Sequence, residues 1–221
     1  KKCLNFLKKQ KKMKNFKNCS KKIILVEGIA EALILPSVAK SIGFEIDECG
    51  VTIINCHGLN FEMFIPILER MAIKTAIITD TDKKTKDEGS LYCEKLQKLL
   101  KNSKNIRIFP TRKTFEWSLF QNINIKKLAQ LVIGEMSHNT IATRCDGKSG
   151  DEMFEYLFGD KGNLEKAEFA QEFADKLNSL NSADGKIKFQ YIEGKQTVDY
   201  SFSRKDFPEN IIQAIDYVCG K

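Results

Sequence analysis

The sequence predicts an α/β fold with a parallel sheet at its centre, and three observations carry that expectation. Apolar runs of strand length recur at Ile23–Val26, Val51–Asn55, Thr75–Thr79 and Asn105–Phe109. Segments with apolar residues at helical spacing separate them. The first run, IILV, is continuous rather than alternating, as a strand covered on both faces requires. Strand alternating with helix implies parallel neighbours with helices packed on both faces of the sheet.

The elements follow in order. Ile23–Val26 ends at Glu27, and Gly28 then permits a tight strand-to-helix turn. From Ile29 the apolar residues keep helical spacing through Leu33 and Leu35 to Val38 and Ile42. Pro36 removes a backbone donor, so a kink or an early end is expected there. Helices over about Phe61–Met71 and Ser90–Lys101 separate the later strands. Beyond Gln121 helical patterns dominate, at Ile125–Met136, Lys148–Phe158 and Leu164–Leu180. A polar break at Asn181–Gly185 leads to Ile187–Ile192, which alternates like a short strand, and Phe207–Val218 closes the chain as a helix. The expected organisation is a basic arm over 1–21, an α/β core over 22–121 and a mostly helical extension over 122–221 packed on the core.

Composition bounds the function classes. A chain of 221 residues with 42% hydrophobic content can bury a core. Its net charge of +7 is unevenly spread: Lys1–Lys22 hold ten lysines and no acids, leaving 26 basic against 29 acidic groups elsewhere, about −3. The arm, with Leu4, Phe6, Leu7, Met13 and Phe16 among its lysines, suits a phosphate backbone or a preceding domain, or a solvated linker helix. The seven cysteines form no CxxC pair, and their odd number without a signal peptide points to a reduced, cytoplasmic protein. Cys56, His57 and His138 make no zinc spacing; His57 reads as a turn residue. No apolar run reaches membrane-spanning length, so no membrane partner is expected. The chain opens on Lys within the basic segment, which reads as an excerpt of a larger protein.

The chemistry lies at the strand ends. Ligands in open α/β sheets collect at the carboxyl ends of the strands. Glu27 follows the first run and Glu31 falls in the next helical turn, where the helix dipole favours a carboxylate. Asp80 and Asp82 follow the third run. A lone Glu at a helix start is usually solvated, and a lone DxD is usually a turn. Both together at strand ends of one sheet imply carboxylates that repel unless a cation lies between them. Oxygen ligands of this kind suit Mg²⁺ or Mn²⁺. The chemistry indicated is metal-dependent cleavage of a phosphodiester.

The order VEG, then DxD, resembles the Toprim domain of type IA and II topoisomerases, primases and several nucleases. Topoisomerases usually continue with Arg-Glu-Gly, whereas this chain continues Asp80-Thr-Asp-Lys-Lys-Thr. The closer resemblance is to the OLD-family (overcoming lysogenization defect) ATP-dependent endonucleases. VTIINCHGLNF at Val51–Phe61, KTFEWSL at Lys113–Leu119, EKAEFA at Glu165–Ala170 and PENIIQAIDYV at Pro208–Val218 are similar to further family segments, with Ala167 where the family commonly has Gly. The resemblance spans roughly Lys21 to Val218. It implies a Toprim, Rossmann-like sheet. Glu27, Asp80 and Asp82 would line a first metal site, Glu31 and Glu116 a second, and Lys166 would stand near the scissile phosphate. It further implies two Mg²⁺ or Mn²⁺ ions, DNA as substrate, a role in phage defence and an ABC-type ATPase domain in the same polypeptide. With no GxxxxGK[ST] loop here, ATP enters only through that other domain. A helicase-like partner or a homo-oligomer is left open.

The mechanism expected is two-metal hydrolysis, with Glu27 also available as general base. Arg112, Lys113, Arg204 and Lys205 are candidate phosphate contacts. Three other readings stand beside this one. A topoisomerase- or primase-like Toprim domain is one, a non-catalytic nucleic-acid or partner-binding module another, and a phosphate-accepting receiver domain the third.

Overall fold

The computed structural model describes residues 22–81, 88–136, 138–180 and 185–220. Strands β1 (Lys22–Val26), β2 (Val51–Asn55), β3 (Lys74–Thr79) and β4 (Ile106–Pro110) form one sheet in the order β2-β1-β3-β4. Every pairing is parallel, with Val26 opposite Asn55, Leu25 opposite Ile77, and Thr79 opposite Pro110. Helices α1 (Ile29–Ser41), α2 (Ile65–Arg70) and α3 (Glu88–Leu99) connect them. The chain leaves β1 toward β2 on one side and returns across it to β3 on the other. The strand order therefore reverses between β1 and β3, and a crevice opens at their carboxyl ends, where parallel sheets bind ligands.

Alternation along each strand builds two cores. Ile24 and Val26 with Ala76 and Ile78 face one side, Ile23 and Leu25 with Ile77 the other. The first side is covered by α1 and the C-terminal helices, the second by Phe61, Ile65 and Leu68 with Leu96 and Leu100. Burial on both faces accounts for the continuous apolar run that marked β1 in the sequence.

Helices α4 (Phe115–Phe120), α5 (Ile123–Glu135), α6 (Asn139–Arg144), α7 (Gly150–Phe158) and α8 (Lys166–Leu180) follow β4. Next come a hairpin of β5 (Lys186–Glu193) and β6 (Gln196–Ser203), a 3-10 turn at Arg204–Asp206, and α9 (Glu209–Cys219). α8 packs along α1, and α9 returns to β1, β3 and β4. The larger cluster thus runs from the sheet through Phe115, Phe120, Phe169 and Phe173 to Ile211 and Ile215.

Several details differ from the sequence expectations. α1 passes through Pro36 to Ser41 instead of ending early, with Pro36 on its exposed side. The helix expected over Phe61–Met71 is a 3-10 turn at Phe61–Met63 followed by the six-residue α2, which Pro66 opens from a first-turn position. β6 pairs antiparallel with β5 throughout, and its Val198, Tyr200 and Phe202 alternate with polar residues, a strand the sequence expectations did not include. No helix among the described residues is long and apolar enough to cross a membrane.

Candidate metal centre

Glu27 is the first residue beyond β1, and the backbone around it is fixed from two strands. Its carbonyl accepts the Gly58 N–H at 2.8 Å, tying it to the turn after β2. In that turn His57 (φ 52°) is exposed, and Asn60 Nδ2 donates to the His57 carbonyl at 3.0 Å. The Glu27 carboxylate reaches β3, where Oε2 accepts the Asp80 N–H at 3.3 Å and the Thr79 hydroxyl at 3.5 Å. Fifty-three residues apart in sequence, Glu27 and Asp80 meet across the strand-order reversal.

Gly28 is the N-cap of α1 and offers no side-chain cap, and Glu31 lies one turn on with its carboxylate folded back. A Cβ on Gly28 would stand 2.8 Å from Glu31 Oε2, so glycine leaves the room the carboxylate occupies. Glu31 is only 6% exposed. Burial, then the nearby Glu116 and Glu27 carboxylates, push its pKa up from 4.5 to about 7, against partial relief from Lys166.

Asp80 follows β3. Burial raises its pKa well above the usual carboxylate range, and Glu31, Glu116 and Glu27 raise it further. The buried Thr111 hydroxyl, just past β4, donates to Asp80 Oδ1 at 2.8 Å and opposes that rise.

Glu116 comes from α4, whose N-cap Thr114 accepts the Trp117 N–H at 3.2 Å. It is 3% exposed, and Lys166 Nζ lies 3.4 Å from its Oε2. Lys166 opens α8 on the same side of the helix as the buried Phe169 and Phe173, at the end of that face. Its ammonium lies over the Phe154 and Phe158 rings, with centroids at 5.8 and 5.9 Å.

Glu27, Glu31, Asp80, Glu116 and Lys166 are thus brought together, while Asp82 lies outside the described residues. The donors are carboxylate oxygens, a set that suits hard divalent cations, and their mutual elevation of proton affinity is what crowded negative charges produce. Among the described residues, no three such groups converge closely enough to hold an ion by themselves. In donor chemistry the residues fit Mg²⁺ or Mn²⁺.

The candidate phosphate contacts divide. Arg112 is exposed and lines an open cleft of about 720 Å³ with Thr81, Thr111 and Asn210 beside the centre. Lys113 is bound to Asp151 at 2.7 Å and lies over the Trp117 ring. Arg204 pairs with Asp216, and Lys205 is exposed. Among the described residues Cys49, Cys56, Cys93, Cys145 and Cys219 are not joined in disulfides. Sequence reading missed Thr79 and Thr111; applying the strand-end rule to β4 as well as to β1 and β3 would have reached Thr111.

Residues 19–82 match the family described as Overcoming lysogenization defect protein-like, TOPRIM domain. That segment includes Glu27, Glu31, Asp80 and Asp82 but neither Glu116 nor Lys166. The fold is similar to the C-terminal region of the Burkholderia pseudomallei OLD protein, with a TM-score of 0.62 at 17% identity, covering 90% of this chain and 97% of that one. It is also similar to the C-terminal region of the Xanthomonas campestris pv. campestris OLD protein, at a TM-score of 0.56 and 19% identity over 90% and 92% of the two chains. No curated protein matches the sequence.

Proposed function

From the match of residues 19–82 to the family described as Overcoming lysogenization defect protein-like, TOPRIM domain, we propose that this chain is a divalent-metal-dependent DNA endonuclease or nickase. The observation that carries the reading is the meeting of Glu27, Glu31, Asp80 and Glu116 at the strand-order reversal with Lys166 facing them. Glu27, Asp80 and Asp82 would hold one Mg²⁺ or Mn²⁺, and Glu31 and Glu116 a second. Bound there, the two ions would activate water and stabilise the leaving 3′-oxygen during in-line displacement at phosphorus.

The protein's own groups do the rest. Glu27 accepts the proton of the attacking water through whichever oxygen is left free. The Lys166 ammonium meets the charge that develops on the scissile phosphate, with Glu116 and the two phenylalanine rings holding it in place. Arg112, Lys113, Arg204 and Lys205 hold the DNA backbone, Lys113 and Arg204 by exchanging their carboxylate partners for phosphate. Such contacts position DNA without reading its bases. The reading extends to an ABC-type ATPase domain in the same polypeptide, through which ATP would act.

Supercoiled plasmid incubated with Mg²⁺, Mn²⁺ or chelator tests the reading. Nicked and linear products that need the metal are expected. Relaxed topoisomers would mean a topoisomerase-like domain instead, and an intact plasmid at every metal concentration would favour a binding module.

A further inference from the structure

Thr111 is held by the sheet and aimed at Asp80. Its own N–H donates to the Thr79 carbonyl at 2.9 Å, extending the β3–β4 ladder one residue past β4. Its side chain is 1% exposed. Three acceptors lie within reach of the hydroxyl: Asp80 Oδ1 at 2.8 Å, the Lys113 carbonyl at 3.0 Å and the Thr79 carbonyl at 3.4 Å. A hydroxyl has a single proton to give. The Lys113 carbonyl already accepts the Thr81 N–H at 3.0 Å, and the Thr79 carbonyl accepts that of Thr111 itself. The carboxylate oxygen is the shortest of the three contacts, and as an anion it is the strongest acceptor.

We propose that Thr111 is a positioning residue for the metal centre: its hydroxyl holds Asp80 Oδ1 and so fixes the direction in which the carboxylate presents its other oxygen to a cation. The inference rests on the metal-dependent reading above and adds a residue to it. Thr111 touches neither the metal nor DNA. It acts by preventing Asp80 from turning, and hydrogen-bond partners that orient metal ligands typically carry about a 10–100-fold share of the affinity.

The test is a Mn²⁺ titration followed by the paramagnetic resonance signal of the free ion, on the full chain without DNA. Thr111→Val keeps the shape and removes the hydroxyl. Thr111→Ser keeps the hydroxyl, and Thr111→Ala stands in if the valine variant does not fold. Melting in chelator monitors the fold of each. The expected result is Mn²⁺ affinity weakened by about 10–100-fold in the Val or Ala variant and within about threefold of wild type in the Ser variant. Unchanged affinity without the hydroxyl, beside normal binding by wild type, overturns the role of Thr111 alone. Equal weakening in the Ser variant also overturns it, because packing of the methyl would then be the cause. A wild-type protein that takes up no Mn²⁺ overturns this inference and the metal-dependent reading together.

Discussion

At the scale of single residues, the centre sets two kinds of charge against each other. Lys166 lies 3.4 Å from Glu116, yet an ammonium donates no metal ligand. Lys166→Ala is therefore expected to lower turnover by roughly two to three orders of magnitude while Mn²⁺ affinity barely moves. Lys166→Arg should recover little, since a flat guanidinium replaces a compact charge between two rings. Plasmid cleavage rates paired with metal titrations check both. Glu31 makes a separate, pH-dependent prediction. Its carboxyl binds its proton with a pKa of about 7 in the fold against 4.5 ordinarily, so between those values the folded state keeps a proton that the unfolded chain has lost. Metal-free stability should thus fall as pH rises from about 4.5 to about 7, by about 3 kcal/mol from this group, with Asp80 acting in the same direction. Urea melts in chelator at pH 5 and pH 8 measure the loss, and Glu31→Gln should make the dependence shallower. A wild-type protein no less stable at pH 8 would contradict the crowding.

At the scale of elements, the centre depends on α8 being docked against α4 and α7. Phe169 is fully buried and meets the Phe120, Phe158 and Phe173 rings at 5.9, 5.5 and 5.5 Å. It anchors the helix that starts at Lys166 to the one that carries Glu116. Phe169→Ala should cost about 3–5 kcal/mol by urea denaturation, the range for a large buried ring replaced by a cavity. The elements also divide by how legible they were in the sequence. β1 and β3 could be read directly because both of their faces are buried, so their centres, Ile23–Val26 and Ala76–Ile78, are continuously apolar. β6 was missed although Val198, Tyr200 and Phe202 alternate with polar residues along it, because its other face is solvated and only Phe202 is fully buried. α2 and α6, at six residues each, are too short to display a helical period. Glu27, Glu31 and Asp80 were legible because strand ends can be located from sequence. Thr111 could have been located by the same rule applied to β4, but not its role, which depends on which oxygen its hydroxyl faces, and no spacing encodes that.

At the scale of the whole molecule, the proposed nuclease reading requires a body of about −3 outside Lys1–Lys22 to approach a polyanion. Cations bound at the carboxylates reverse the local sign. The lysine-rich arm, which lies outside the described residues, would supply sequence-independent attraction. Deleting residues 1–21 should flatten the slope of log affinity against log salt for DNA, and an unchanged slope would make the arm a linker or a domain contact. All of this depends on one claim: that the carboxylates gathered where the strand order reverses are a divalent-metal site. The direct measurement is the melting temperature with and without Mn²⁺ for wild type and Asp80→Ala. Any ligand that binds only the folded state must stabilise it, so wild type should melt at a higher temperature as Mn²⁺ is added. Asp80→Ala should lose that gain together with plasmid cleavage. An equal Mn²⁺-induced shift in the Asp80→Ala variant would contradict the account.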